Sequence, residues 1–187
     1  MDIDALINGI YKLPDDSLVA LKKHIFEVNL PKGSILISNS KTEEYVYFIK
    51  KGIVRAFVPT IANDITFWFG TEGEAVLSMK SYVAKEKGYE TIELLEDCDF
   101  YKIKNADLLI MYQRDLHIAN WGRVFAEKEL LKTEKRLISR QFATASERYK
   151  ELLLKKPDLL KRVQLGYIAS YLGITQVSLS RIRAEKK

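Results

Sequence analysis

The stretch QLGYIASYLGITQVSLSRIRAEKK, residues 164–187, decides the fold. Counted from Leu165 as position one, Ala169 stands fifth, Gly173 ninth and Leu179 fifteenth, with Ile168, Leu172, Ile174 and Ile182 at apolar positions among them. This spacing predicts a helix over about 165–172 that turns Ile168, Ala169 and Leu172 inward, Ala169 being small where a second helix crosses close to it. Gly173 ends that helix, because without a Cβ it takes positive φ free of strain. Thr175 is then expected to cap a second helix by accepting from an unpaired N–H at its start. Leu179 and Ile182 face inward on the second helix, which leaves Gln176, Ser178, Ser180, Arg181 and Lys187 outward. Two ordinary packed helices would share the glycine, but seven agreeing positions and a basic outer face make this a helix-turn-helix. A long polar donor at the start of the second helix, with an arginine a turn later, is what reading base edges in a major groove requires.

Over RVQLGYIASYLGITQVSLSRIR the chain closely resembles the DNA-binding end of the Crp/Fnr family of bacterial transcription regulators. The resemblance implies a sequence-specific regulator that binds double-stranded DNA as a homodimer, with RNA polymerase as a further partner. Matched to the family's base-reading positions, the second helix offers Gln176, Val177 and Arg181, of which Gln176 and Arg181 are expected to discriminate between bases. Ser178, Ser180, Arg183, Lys186 and Lys187 are expected to serve the DNA backbone, and Thr175 completes the DNA-binding set. Gln176 departs from the family's usual arginine, and Val177 stands where an acidic side chain commonly accepts from cytosine, so a different operator is implied. Relatives with a β-wing have more chain after this helix, so in this winged-helix-like domain any wing is expected to be minimal or absent.

At 187 residues and 47% hydrophobic composition the chain has the length for one large domain or two small ones. Charge argues for two. Residues 1–103 carry 12 Lys/Arg and 16 Asp/Glu, a net of −4, whereas 104–187 carry 18 and 9, a net of +9. Only the second part suits a polyanion. Membrane lipid is the rival polyanion, but no run of about eighteen apolar residues exists and no signal peptide opens the chain, so a cytoplasmic protein is expected. Cys98 is the single cysteine, which excludes an internal disulfide and a cysteine-ligated iron–sulfur cluster needing about four ligands. His24 and His117 have no partner at metal-ligand spacing, so no metal site is expected.

Residues 2–27 read as helical, with Pro14 at a first-turn position, Asp15 and Asp16 behind it, and Leu18, Leu21 and Ile25 at helical spacing. From 26 to 103 the pattern becomes the short runs FEVNL, SILIS, YVYFIK, IVRAFV, DITFWF, TIELL and DFYKI, separated by turn signals at 31–33, 38–40, 51–52, 62–64 and 70–73. Such a series predicts an antiparallel sandwich or jelly-roll barrel. The order also resembles the family's cyclic-nucleotide-binding domain, through PKGSILI, YVYFIKKGIVRAF, EGEAV and TIELLED. Residues 105–142 return to helical period, and an apolar surface wider than one stripe implies two neighbours. One is the barrel. The other, by the resemblance, is the same helix of a second subunit, with Ile118, Trp121, Val124, Phe125, Leu131 and Ile138 as the dimerisation set. Thr144 with Glu147 forms a capping-box pattern for a further helix that stops before Pro157, and Asp158 is expected to cap the short LLKRV turn that follows.

The expected fold class is therefore α+β: an N-terminal antiparallel β jelly-roll barrel over 1–104, a long dimerisation helix over 105–142, and a C-terminal helix-turn-helix domain over 143–187. In the family a glycine–glutamate pair begins a phosphate cassette, and an arginine before the next strand pairs with the cyclic phosphate. The pair is here as Gly73 and Glu74, but Gly88 or Tyr89 stands near the arginine's place, with Glu90 and Thr91 following. A carboxylate repels phosphate, and the nearby lysines lack the bidentate fork. These five residues mark the effector-pocket position, and cAMP is not expected to fill it; no cofactor is expected. A cupin-like metalloenzyme would need imidazoles, and residues 26–103 contain no histidine, so no enzyme is expected. A ligand-sensing adaptor without DNA binding remains the alternative reading, and it leaves the +9 charge and the helix-turn-helix unexplained.

Overall fold

The computed structural model describes residues 2–61 and 63–184. Its elements are helices α1 (Ile3–Ile10) and α2 (Asp15–Lys22), strands β1 (Ile25–Leu30), β2 (Ile35–Ile37), β3 (Tyr45–Lys51), β4 (Val54–Val58), β5 (Ile65–Gly70) and β6 (Ala75–Val76), and helix α3 (Met79–Ala84). Strands β7 (Thr91–Leu94) and β8 (Cys98–Lys104) follow, then helices α4 (Asn105–Arg114), α5 (Leu116–Phe142), α6 (Ala145–Lys155), α7 (Leu159–Arg162), α8 (Leu165–Leu172) and α9 (Gln176–Ala184). Every strand foreseen from the turn signals forms. Among the described residues they build two four-stranded sheets, ordered β1-β8-β3-β6 and β2-β7-β4-β5. The pairings of β8 with β1 and β3, of β6 with β3 and of β7 with β2 are antiparallel, and this interleaved order is that of a jelly roll.

The chain divides into two compact units, Met1–Ala56 with Phe69–Glu129, and Phe57–Trp68 with Leu130–Lys187. The core of the first is built from Leu6, Ile7, Leu21, Val46, Phe48, Ile103, Leu108, Ile118 and Trp121, so helices α1, α4 and the beginning of α5 pack on the β3–β8 side of the barrel. The second unit holds the outer part of the β4–β5 hairpin, residues 130–142 of α5, and helices α6 to α9. No helix among the described residues is long and apolar enough to cross a membrane.

Four local expectations are corrected. The helical period over 2–27 is interrupted: Tyr11 is extended, and Pro14, lacking an N–H, is the N-cap of α2 rather than part of its first turn. Ile25 opens β1, because its backbone pairs with Ile103 of β8. The region 105–142 is two helices, broken at the extended Asp115, whose carboxylate accepts from the N–H groups of His117 at 2.8 Å and Ile118 at 3.2 Å and so starts α5. Asp158 makes no side-chain cap: its backbone is already helical, and its carboxylate takes Lys161 Nζ at 3.3 Å.

Candidate nucleic-acid interface and effector pole

Helices α8 and α9 meet as their sequence requires. Gly173 has φ +67°, and α8 ends in the two bonds Gly173 N–H to Ser170 O at 3.0 Å and Ile174 N–H to Ala169 O at 3.0 Å, the Schellman arrangement that turns the chain within three residues. Thr175 Oγ1 accepts from Ser178 N–H at 3.1 Å, the expected cap, and also lies 3.0 Å from Ser178 Oγ. Ile168, Ala169, Leu172 and Leu179 are buried between the helices. On the outside, Gln176, Val177, Ser180, Arg181 and Arg183 are exposed, while Ser178 is half-buried against the cap. Lys186 and Lys187 lie outside the described residues.

Gln176 has a neighbour that the pattern did not reveal. A Cβ at Gly166 would stand 2.6 Å from Gln176 Nε2, so the glycine in the first turn of α8 makes room for the side chain that opens α9. Ser170 carries another unforeseen contact. Its Oγ accepts from Thr66 N–H at 3.0 Å and donates to Asp64 O at 3.0 Å, which satisfies the outer edge of β5 within the second unit. Both contacts join residues far apart in sequence or on different helices, and no local pattern announces them.

The dimerisation set divides. Ile118 and Trp121 are 1% exposed and belong to the first unit's core, with Trp121 Nε1 donating to Ile7 O at 3.0 Å. Val124 and Phe125 are half-buried, Phe125 stacking on Trp121 at 5.8 Å and packing on Phe48 at 5.9 Å. Ile118 and Trp121 are covered by their own chain, and neither Trp121 nor Phe125 forms an exposed patch. Leu131 and Ile138 do face outward, and with Leu130, Leu137 and Phe142 they form an exposed apolar run at steps of one, four and seven residues.

At the effector pole Gly73 has φ +85°, and Glu74 closes the turn beside it, Oε2 accepting from Thr71 N–H at 2.8 Å and Thr71 Oγ1 at 3.1 Å. Tyr89 is largely exposed and Thr91 half-buried, but Glu90 is 5% exposed and accepts from Tyr89 N–H at 3.1 Å. At Gly88, which with Tyr89 stands near the place where the resemblance puts the family's arginine, a Cβ would lie 2.5 Å from Ser78 Oγ and 2.8 and 2.9 Å from the two Glu90 carboxylate oxygens. The space beside Gly88 is taken up by the side chains of Ser78 and Glu90. Helix α3, which the sequence reading did not foresee, is capped by Ser78, and Lys85 at its end donates Nζ to Tyr82 O at 2.8 Å. Lys80 pairs with Glu86 at 2.9 Å. Deeper in the barrel the buried Arg55 sends Nε to Oε1 of the half-buried Glu93 at 2.6 Å, joining β4 to β7. Cys98 is buried too, and burial pushes its thiol up to about 12, far from a reactive thiolate.

No protein-family model and no curated protein matches the sequence. Solved structures do. FixK2 from Bradyrhizobium japonicum is 20% identical, with a TM-score of 0.72 over 86% of this chain and 83% of that one. A transcriptional regulator of the Crp/Fnr family from Eubacterium rectale gives 15% and 0.70 over 91% and 82%. The c-di-GMP-responsive global regulator CLP of Xanthomonas campestris gives 16% and 0.69 over 92% and 91%. The chain has the fold of these Crp/Fnr-type regulators over most of its length.

Proposed function

We propose that this protein, built on the Crp/Fnr regulator fold, is a homodimeric, sequence-specific DNA-binding transcription regulator and not an enzyme. In this reading residues 1–104 are the effector-type barrel, 105–142 carry the dimer helix and 143–187 read DNA in the cytoplasm, with RNA polymerase as a further partner. The observation that carries it is α9: a capped helix packed on α8 through Leu179, with Gln176, Val177, Arg181 and Arg183 on its open side. The apolar run Leu130, Leu131, Leu137, Ile138 and Phe142 supports the dimer, whose two reading helices would take half-sites about one turn, ~34–36 Å, apart.

Selection from a pool of random duplex DNA tests the reading, and a pseudo-palindrome is expected. Arg181→Ala should then remove roughly 1–3 kcal/mol of discrimination at one base pair. Equal loss on operator and random DNA would refute the base-reading role.

The effector is proposed to be something other than cAMP. A cyclic phosphate at Gly88 would face the Glu90 carboxylate, and an unpaired buried anion is costly. That a regulator of this fold responds to c-di-GMP supports treating effector chemistry as separable from the fold. A specific ligand at a hundredfold excess over its Kd would stabilise the protein by about 2.7 kcal/mol. Titration with cAMP and cGMP to millimolar is expected to leave Tm unmoved, and a saturable micromolar rise lost in Glu74→Ala would overturn this.

A further inference from the structure

The second unit contains both the exposed apolar run of α5 and the α8–α9 pair, and a single side chain ties them together. Arg148, on the first turn of α6, sends Nη1 to Ala143 O at 2.6 Å and Arg140 O at 3.4 Å, carbonyls at and just past the end of α5. Its Nη2 goes to Leu172 O at 2.7 Å, the last carbonyl of α8. The final carbonyls of a helix have no partner within it, and the negative end of the dipole favours a cation there. One guanidinium thus closes two helix ends, and its planar fork fixes the direction from one to the other, as a single ammonium could not. Ser139 Oγ donates to Glu151 Oε2 at 2.7 Å, which holds the last turn of α5 to α6 on the other side of the junction. Between α5 and α6 the covalent link is only Ala143 and Thr144.

We infer that Arg148 is a positioning residue, which sets the angle between the dimer stem and the reading helices and thereby the half-site spacing the protein accepts. The inference rests on the DNA-binding dimer proposed above. In a two-fold dimer each reading helix stands at the end of its own stem, so the angle at Arg148 appears twice in the separation of the two helices. One base pair more in the spacer moves a half-site ~3.4 Å along the axis and turns it by a tenth of a turn. A stiff junction rejects that displacement and a loose one follows it.

The test is binding of the full-length protein to its selected operator, to versions with the spacer one or two base pairs longer or shorter, and to a single half-site. For wild type a sharp optimum is expected. In Arg148→Ala the ratio of affinities between the best spacer and its neighbours should fall by roughly threefold or more, while the single half-site changes little. Arg148→Lys keeps the charge without the fork and should flatten the profile likewise; it decides the matter should the alanine variant fold poorly, as judged by thermal melting. A loss equal at every spacing and on the half-site would mean a merely structural role, and a wild-type profile in both variants would overturn the inference outright. If wild type itself binds no selected duplex, or binds every spacing alike, the dimer reading fails instead.

Discussion

Helix α5 is one continuous rod whose two halves meet opposite fates. In residues 116–129 the apolar side chains Ile118 and Trp121 are sealed into the first unit, and Lys128 Nζ reaches Gly9 O at 3.0 Å and Ile10 O at 2.8 Å, closing α1. In residues 130–142 Leu130, Leu131, Leu137, Ile138 and Phe142 stand in the open at 49–76% exposure. Composition does not separate the halves. What separates them is which other elements arrive: α1 and the β3 face on the first, and α6, through Glu151 on Ser139 and Arg148 on Arg140, on the second. A helical period thus states that a face is apolar, and only tertiary packing states who covers it.

The inner half should answer to mutation as a core does. Trp121→Ala removes a fully buried ring, its bond to Ile7 O and its stacking on Phe125, and is expected to destabilise the fold by about 3–5 kcal/mol in denaturant or thermal melts. A loss below ~1 kcal/mol, in the range of exposed sites, would erase the distinction between the halves. The outer half should answer as an interface does. With Leu137→Glu and Ile138→Glu combined, the two-fold axis would bring four carboxylates together on an apolar seam, and light scattering at micromolar concentration should fall to the 21.6 kDa chain with its helical content kept. Wild-type protein that is already 21.6 kDa, with and without DNA, would break the comparison from the other side.

The same division decides what the sequence could tell. The turn at Gly173, the cap at Thr175 and the Thr144–Glu147 box were legible because each is made of bonds between residues three to five apart, written in residue types that have few other uses. Every strand but β6, which has only two residues, was legible from the glycines and polar clusters between them. Helix α3 was not, being six residues long and too short for a period to register. The break at Asp115 hid because the apolar faces of α4 and α5 continue one another across it. Arg148 and Leu172 lie 24 positions apart, and Ser78 and Glu90 meet beside Gly88 from opposite sides of α3, so nothing in a linear pattern pairs them. The resemblance drew attention to Gly88; only the packing of Ser78 and Glu90 shows what lies against it.

The smallest expected effect lies where the outer half ends. Thr144 and Glu147 form a full capping box at the start of α6: Thr144 N–H donates to Glu147 Oε2 at 2.7 Å, and Glu147 N–H to Thr144 Oγ1 at 3.2 Å. The Thr144 backbone N–H, and after it the hydroxyl, holds the Glu147 carboxyl below its ordinary value. A carboxyl whose folded value is depressed stabilises the fold above its unfolded value, and that contribution disappears as pH falls through the folded one. Thr144→Ala removes the hydroxyl that caps Glu147 N–H and should cost about 1 kcal/mol. Glu147→Gln keeps an acceptor but no charge, so its deficit against wild type should be largest above pH ~5 and shrink as acid protonates the wild-type carboxyl. Melting both proteins across that range measures it. A deficit that is constant with pH would mean that the carboxylate's charge contributes nothing here and that the hydrogen bonds of the box alone carry the cap of α6.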